Sequence, residues 1–413
     1  MVPVSGIVSS GKLVSMNILI LTFYYPPDLS AGSFRMGALI DGLLPRLPHG
    51  ARVDVLTTRP NRYASLETLS SDYEDGGALT IERISLPMHR SGMVDQAKAF
   101  FVFYRAVSRI VSRRQYDMVF ATSSRLMTAF LGARIARRLR VPLYLDIRDI
   151  FLDTINDVLP GIRGKILMPI LSQIERYAFG SATRINLVSE GFREYFEKRY
   201  PGIPTDFFTN GIDEEFLAAN WFGRKPPQGA PIRVLYAGNI GEGQGLHRIM
   251  PQLSRLAGER YRFIIVGDGG RVTQLREELA RAGAANVEIL PPVKRERLIQ
   301  MYGEADVLFL HLNNYDAFTK VLPSKLFEYA ATGKPMLAGV GGHAAEFLRR
   351  NVDNCGIFRP CDADAGLAAL KGLTLGVRPR QEFVKAFARN QIMTRMADAV
   401  LCIAKSTRQE GYA

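Results

Sequence analysis

MNILILTF, residues Met16 to Phe23, is an uncharged, largely apolar run that does not alternate between polar and apolar positions. A strand of this kind is buried on both faces, as in a parallel sheet covered by helices on each side. The chain that follows has the order such a sheet requires. A Pro-Pro loop from Tyr24 to Gly32 leads into a helical stretch with apolar Met36, Leu39, Ile40, Leu43 and Leu44, and Arg52 to Thr57 reads as a second strand. A long helical stretch from about Gln96 to Arg114 precedes the strand Asp117 to Ala121. A helix to about Leu139, the strands Pro142 to Asp146 and Arg184 to Val188, and a helix from Glu190 complete the series. Strand and helix in alternation make a doubly wound domain.

The stretch Asn210 to Pro231, with Trp221, Pro226, Pro227 and Gly229, is turn-rich and without period. Beyond it strands recur at Ile232 to Ala237, Arg262 to Val266, Val287 to Leu290, Val307 to Leu312 and Pro335 to Val340. Helical spacing lies between them, as in Leu246, Ile249, Met250, Leu253 and Leu256. The expected fold class is therefore α/β, two facing Rossmann-like doubly wound domains with an interdomain cleft at the carboxyl ends of both sheets. The expected bounds are an N-terminal extension at 1–15, a first domain at 16–215, a linker at 216–231, a second domain at 232–390, and a C-terminal helix at 391–413 that packs back on the first domain.

Among 413 residues, 47% are hydrophobic and 23% charged, which excludes disordered and collagen-like classes. Lys and Arg number 53 against 40 Asp and Glu, a net charge of +13 that points to an anionic partner. The excess is uneven. Arg90 to Arg140 holds 11 basic residues against Asp95 and Asp117, whereas the rest of the chain up to 215 is net acidic. In that stretch Phe100, Phe101, Phe103 and Tyr104 stand beside Lys98, Arg105, Arg109, Arg113 and Arg114. Aromatic mass with a cationic flank suits an anionic lipid surface, and a core helix with a solvated basic face fits equally well. No nucleic-acid-binding module accompanies the charge. The cysteines Cys355, Cys361 and Cys402 match no metal spacing, no stretch is long and apolar enough for a membrane span, and residues 1–15 lack the apolar core of a secretory signal.

Two motifs point to a ligand. In YAGNIGEGQGL, Tyr236 to Leu246, a strand ends, four glycines follow and a helix starts. Such a loop lets backbone approach a diphosphate, with the helix start as anion site. It is not the dinucleotide fingerprint, because the third glycine of G-x-G-x-x-G is missing. In LPSKLFEYAATGKP, Leu322 to Pro335, Lys325 and Glu328 share one helix face. Lys325 would serve phosphate and Glu328 would accept from sugar or ribose hydroxyls, although spacing alone favours a plain surface salt bridge. Arg148 and Asp149 end a first-domain strand and point to the cleft. There Asp149 would orient or deprotonate a hydroxyl and Arg148 touch phosphate, and a structural ion pair explains them as well. His311 reads as a structural histidine, and Asp362-Ala363-Asp364 as a helix cap rather than a metal site.

Taken in order, FYYPPDLSAGSFR, DIRD (Asp146 to Asp149), LVSEGF (Leu187 to Phe192), NGID (Asn210 to Asp213), GNIGEGQGL, IIVGDGG (Ile264 to Gly270) and PSKLFEYAATGKP resemble the GT-B glycosyltransferases of family 4. The nearest subgroup is the bacterial surface-polysaccharide transferases of N-acetylated amino sugars with a PSK-x-FE motif. The resemblance implies that Glu328 binds the ribose of a nucleotide sugar and that Gly238, Gly241 and Gly245 face its diphosphate. It places Val293 beside the base, and Gly32 opposite the donor sugar and acceptor. Many members carry Arg and Lys where this chain has Asn239 and Gln244, and a Glu where it has Lys320. Phosphate charge would then fall to Lys325, assisted by Lys320.

The implied function is retaining, metal-independent transfer of a sugar, a UDP-linked N-acetylamino sugar, to a lipid-linked saccharide in polysaccharide or O-antigen biosynthesis. The nucleotide sugar is a substrate and no cofactor or metal is expected. The partners are the donor, the acceptor and an anionic membrane, with the protein cytoplasmic and peripheral to the inner face of the plasma membrane. A GT-B epimerase or hydrolase, or a catalytically silent assembly partner, are the competing readings.

Overall fold

The structure is a computed structural model that describes residues 16–28, 30–60, 70–87, 93–123, 126–158, 162–219, 221 and 229–410. The expected extension at 1–15, half of the expected linker (220 and 222–228), and Arg90 and Arg125 of the basic stretch lie outside the described residues.

The first sheet holds β1 (Asn17–Leu21), β2 (Arg52–Thr58), β3 (Tyr73–Asp75), β4 (Leu79–Ile84), β5 (Met118–Thr122), β6 (Leu143–Ile147), β7 (Arg184–Leu187) and β8 (Thr205–Asp206), in the order β3-β4-β2-β1-β5-β6-β7-β8. All pairs are parallel except β3 with β4 at one edge. β1 lies between β2 and β5, and Ile18 to Leu21 are fully buried. The uncharged run at Met16 is thus an interior strand. The second sheet holds β9 (Ile232–Ala237), β10 (Tyr261–Val266), β11 (Val287–Leu290), β12 (Val307–His311), β13 (Met336–Gly339) and β14 (Cys355–Phe358), all parallel in the order β11-β10-β9-β12-β13-β14.

The helix Arg389–Glu410 packs on the helix Ala31–Leu43 and belongs to the core of the first domain. Its Ile392, Met393, Met396 and Val400 are buried with Ile18, Met36 and Ile40. The chain therefore crosses between domains twice, and the two crossings run side by side. Ile212 N–H donates to Phe387 and Arg389 N–H to Ile212. Gly211 is required here, since a Cβ would lie 2.6 Å from Arg389 Cα.

The reading of Asn210 to Pro231 as one turn-rich linker is corrected at its start. The helix Glu214–Ala218 buries Phe216 against Tyr302 of the second domain, and the Trp221 indole donates to the Phe216 carbonyl. Short helices of this length show too few periodic positions to be seen in sequence.

One buried ion pair ties the first domain to the crossing. Arg35, on the helix Ala31–Leu43, donates to both oxygens of Asp146 on β6 at 2.8 and 2.9 Å, and to the Phe208 and Thr209 carbonyls. Asn186 on β7 donates to the same carboxylate at 2.7 Å, so the buried charges are paired and their hydrogen bonds filled.

Candidate active site

A cavity of about 420 Å³ opens between the two domains. Ser30, Ala31, Phe34 and Asp149 form its first-domain wall. Gly238, Asn239 and Gln244, from the turn after β9, face them together with Val293, Lys325 and Glu328. Residues far apart in sequence thus meet at the carboxyl ends of the strands, as expected for this architecture.

Gly238 and Lys325 explain each other. A Cβ on Gly238 would lie 1.8 Å from Lys325 Nζ, and its φ of +145° is one that residues with side chains avoid. The ammonium occupies the space that the missing side chain leaves, 5.1 Å from the Tyr236 ring centroid. The glycine loop is less open than the sequence suggested. Gly238 N–H donates to Val266 and Ile240 N–H to Asp268, so those two groups hold the turn to β10. Asn239 and Gln244, the positions of the usual cations, are joined by a 2.7 Å amide hydrogen bond that closes the loop.

Glu328 is buried in the helix Lys325–Ala331. Tyr302 OH donates to its Oε2 at 3.3 Å and Arg295 Nη1 to its Oε1 at 3.4 Å. Burial raises the carboxyl above the usual carboxylate range, while Arg295 pulls it down. The surface salt bridge that spacing favoured is not what forms, because Glu328 faces inward to Arg295.

Five expected site residues do not line the cavity. Lys320 is turned to the first domain: its Nζ meets Asp153 at 2.5 Å and its carbonyl accepts from Ser189 Oγ at 2.6 Å. Gly191 of LVSEGF allows this approach, since a Cβ there would lie 2.4 Å from the Lys320 oxygen. Gly241 and Gly245 shape the loop, with Gly245 at φ +60° starting the helix Leu246–Ala257. Gly32 stands in the first turn of the helix Ala31–Leu43, beside the Arg148 guanidinium. Arg148 itself is half-buried after β6, its Nη1 enclosed without a hydrogen-bond partner and its Nη2 3.5 Å from Asn210. Burial and then neighbouring Arg35 push it down to about 10. Asp149, next in sequence, is exposed on the cavity wall.

His311 also reaches the cavity, in a structural role. Its Nε2 accepts from Cys361 N–H at 3.0 Å, which leaves Nδ1 to donate to the Gln244 carbonyl at 2.7 Å. Both ring nitrogens are thus used to hold the glycine loop. Burial pushes the imidazole down to about 4. Asp362 caps the helix Ala363–Lys371, accepting from Ala365 N–H.

Arg295 is the residue that the sequence did not reveal. It opens the helix Arg295–Glu304, pairs with Asp213 as well as Glu328, and lies between the rings of Phe34 and Phe216 at 4.6 and 4.5 Å. In the run Lys294-Arg295-Glu296-Arg297 no spacing sets it apart from exposed Arg297, which pairs with Glu304.

Residues 41–211 match the family model described as Glycosyl transferase 4-like domain, and residues 219–389 the one described as Glycosyl transferases group 1. Over 100 residues the chain is 35% identical to the putative colanic acid biosynthesis glycosyl transferase WcaI of Escherichia coli (strain K12). That match spans 24% of this chain and 24% of the relative, about a quarter of its length. Among solved structures, sucrose-phosphate synthase from Thermosynechococcus elongatus is similar with a TM-score of 0.63 at 13% identity, covering 96% of this chain and 98% of that one. WaaG, a glycosyltransferase involved in lipopolysaccharide biosynthesis, gives 0.62 at 13% identity, covering 94% and 98%. At such identity the likeness shows the fold, and the fold is GT-B. With each half matching its own domain model, the chain carries a glycosyl transferase 4-like domain followed by a glycosyl transferases group 1 domain.

Proposed function

We propose that the protein transfers a sugar from a nucleotide-sugar donor, a UDP-linked N-acetylamino sugar, to a lipid-linked saccharide in polysaccharide biosynthesis, with retention of configuration and without a metal ion. The observation that carries the reading is the meeting of Lys325, Gly238 and Glu328 in one interdomain cavity opposite Asp149. Similarity to a colanic acid transferase over part of the chain supports a polysaccharide product.

Breaking the anomeric C–O bond puts negative charge on the departing nucleoside diphosphate. A cation fixed in a partly dry cavity lowers that barrier without reorganising. Lys325 is so fixed, by Gly238 beneath it and Tyr236 beside it. Glu328 accepts from the ribose hydroxyls at the inner end of the cavity. Asp149 orients the acceptor hydroxyl from the other wall. The hydroxyl attacks the anomeric carbon on the face from which the diphosphate leaves, and its proton passes to a phosphate oxygen.

The acceptor reading rests on the helix Met93–Val111. Its Phe101 is 58% exposed, with exposed Lys98, Arg105 and Arg109 on the same helix and exposed Arg113 just beyond its end. The expected aromatic face is narrower than the sequence suggested, since Phe103 is buried in the core, and Arg114 pairs with Asp54 and Glu82. The remaining cations suit the anionic inner face of the plasma membrane. Among the described residues no helix is long and apolar enough to cross a membrane.

A thermal-shift screen of UDP-, GDP- and dTDP-sugars tests the donor assignment. Ligand binding to the native state raises the midpoint by mass action. A rise with UDP-sugars alone is expected, and no rise with any of them would refute the reading.

A further inference from the structure

Arg295 has a combination of contacts that an ordinary surface arginine lacks. One guanidinium pairs with two carboxylates, Asp213 from the crossing and Glu328 from the donor wall. Its faces are covered by Phe216 of the second domain and Phe34 of the first. Its Nε is buried without a hydrogen-bond partner, so the group is not held at the geometry of greatest bonding. Asp213 does not depend on it, because Arg389 donates to the other carboxylate oxygen.

Resting on the donor reading above, we propose that Arg295 is a positioning residue of the donor site, which keeps the Glu328 carboxylate ionised and turned so that both oxygens face the nucleotide ribose. A carboxylate accepts from two ribose hydroxyls, whereas a protonated carboxyl has to donate from one of its oxygens. Glu328 is surrounded by groups that act on this choice. Burial and Asp213 favour the neutral form. Arg295, then Arg389 and Lys325, favour the ionised one, and Tyr302 OH donates to it. Arg295 is the nearest cation and the one bonded to it. Because Phe34 belongs to the other domain, the same guanidinium is a contact between the domains, and donor binding and domain contact share it.

The test uses the full chain and UDP as probe, with affinity measured by calorimetry from pH 6 to pH 8.5. The wild-type affinity is expected to vary little across this window. In Arg295→Met it should fall about tenfold or more from pH 8.5 to pH 6, as Glu328 takes up a proton. Arg295→Lys, which returns the charge without the fork, should flatten the profile again. Should Arg295→Met not fold, Arg295→Gln removes the charge while keeping donors to Asp213 and reads the same profile. A purely structural arginine would give an equal loss at every pH, or none, and either result overturns the proposal. Glu328→Ala separates the two levels. If it abolishes UDP binding while the Arg295 variants show flat profiles, only the role of Arg295 fails. If it binds UDP normally, the donor reading fails and this inference with it.

Discussion

At position 238 a methyl group would displace the Lys325 ammonium, and this predicts a loss of function that involves no change of charge. In Gly238→Ala the Cβ would fall 1.8 Å from Lys325 Nζ, in a backbone conformation that alanine avoids. We expect nucleotide-sugar affinity to drop about tenfold or more, the scale of one charge-assisted contact, with the secondary structure retained by circular dichroism. His311 predicts a pH dependence. Its folded value of about 4 lies below the usual 6.5, so the unfolded chain binds more protons between them. The stabilisation is complete above pH 6.5 and is lost as pH falls toward 4, by roughly 2–3 kcal/mol. Urea unfolding at pH 7.5 and pH 5 should show that loss, and His311→Gln should show less of it. Lys325 and Glu328 were legible because they stand in a motif, and the resemblance gave the motif a meaning. Arg295 was not, because its partners Phe34, Asp213 and Glu328 come from three distant segments. That Lys320 turns to Asp153 was not legible for a similar reason, since only the folded chain brings the two together.

Most of the strands that could be read from sequence are buried on both faces, although β11, an edge strand of half-buried residues, was read as well. β1, β9 and β12 are uninterrupted or nearly so. β4 was missed because Glu82 and Arg83 break its run. In the fold Arg83 is buried and pairs with Glu74, while Glu82 pairs with Arg114. β14 is four residues long at the sheet edge, and β8 only two. The helix Met93–Val111 was legible as a helix, but which of its aromatics face outward depends on what packs beneath them. Phe101 faces solvent and Phe103 the core. The structure narrows the membrane prediction accordingly. Arg105, Arg109 and Arg113 replaced together by Gln should reduce flotation with anionic vesicles, each cation contributing about 1 kcal/mol near such a surface. Arg114→Gln alone should leave flotation unchanged and instead lower stability, because its partners are Asp54 and Glu82.

Over the whole molecule the two domains are held by more than the cleft. The chain crosses at Ile212 and returns at Ala388, the helix Arg389–Glu410 completes the first core, and Lys320 reaches Asp153 across the gap. The two-domain α/β plan was legible because alternating strand and helix allow few topologies. How closely the domains approach was not, since Gly191 and Gly211 look like any other glycine until the opposing backbone is placed. The net charge of +13 resolves in the same way. Ion pairs such as Arg35 with Asp146 are neutral and leave that excess untouched, and exposed Lys98, Arg105, Arg109 and Arg113 carry part of it at the surface of the first domain. At this scale the prediction is that Lys325 and Glu328 bind a nucleotide-sugar donor between the domains. Calorimetric titration of UDP-sugar into the wild-type protein, Lys325→Ala and Glu328→Ala tests it most directly. Saturable binding to the wild type and a loss of about tenfold or more in each variant are expected. Equal affinity in all three would contradict it.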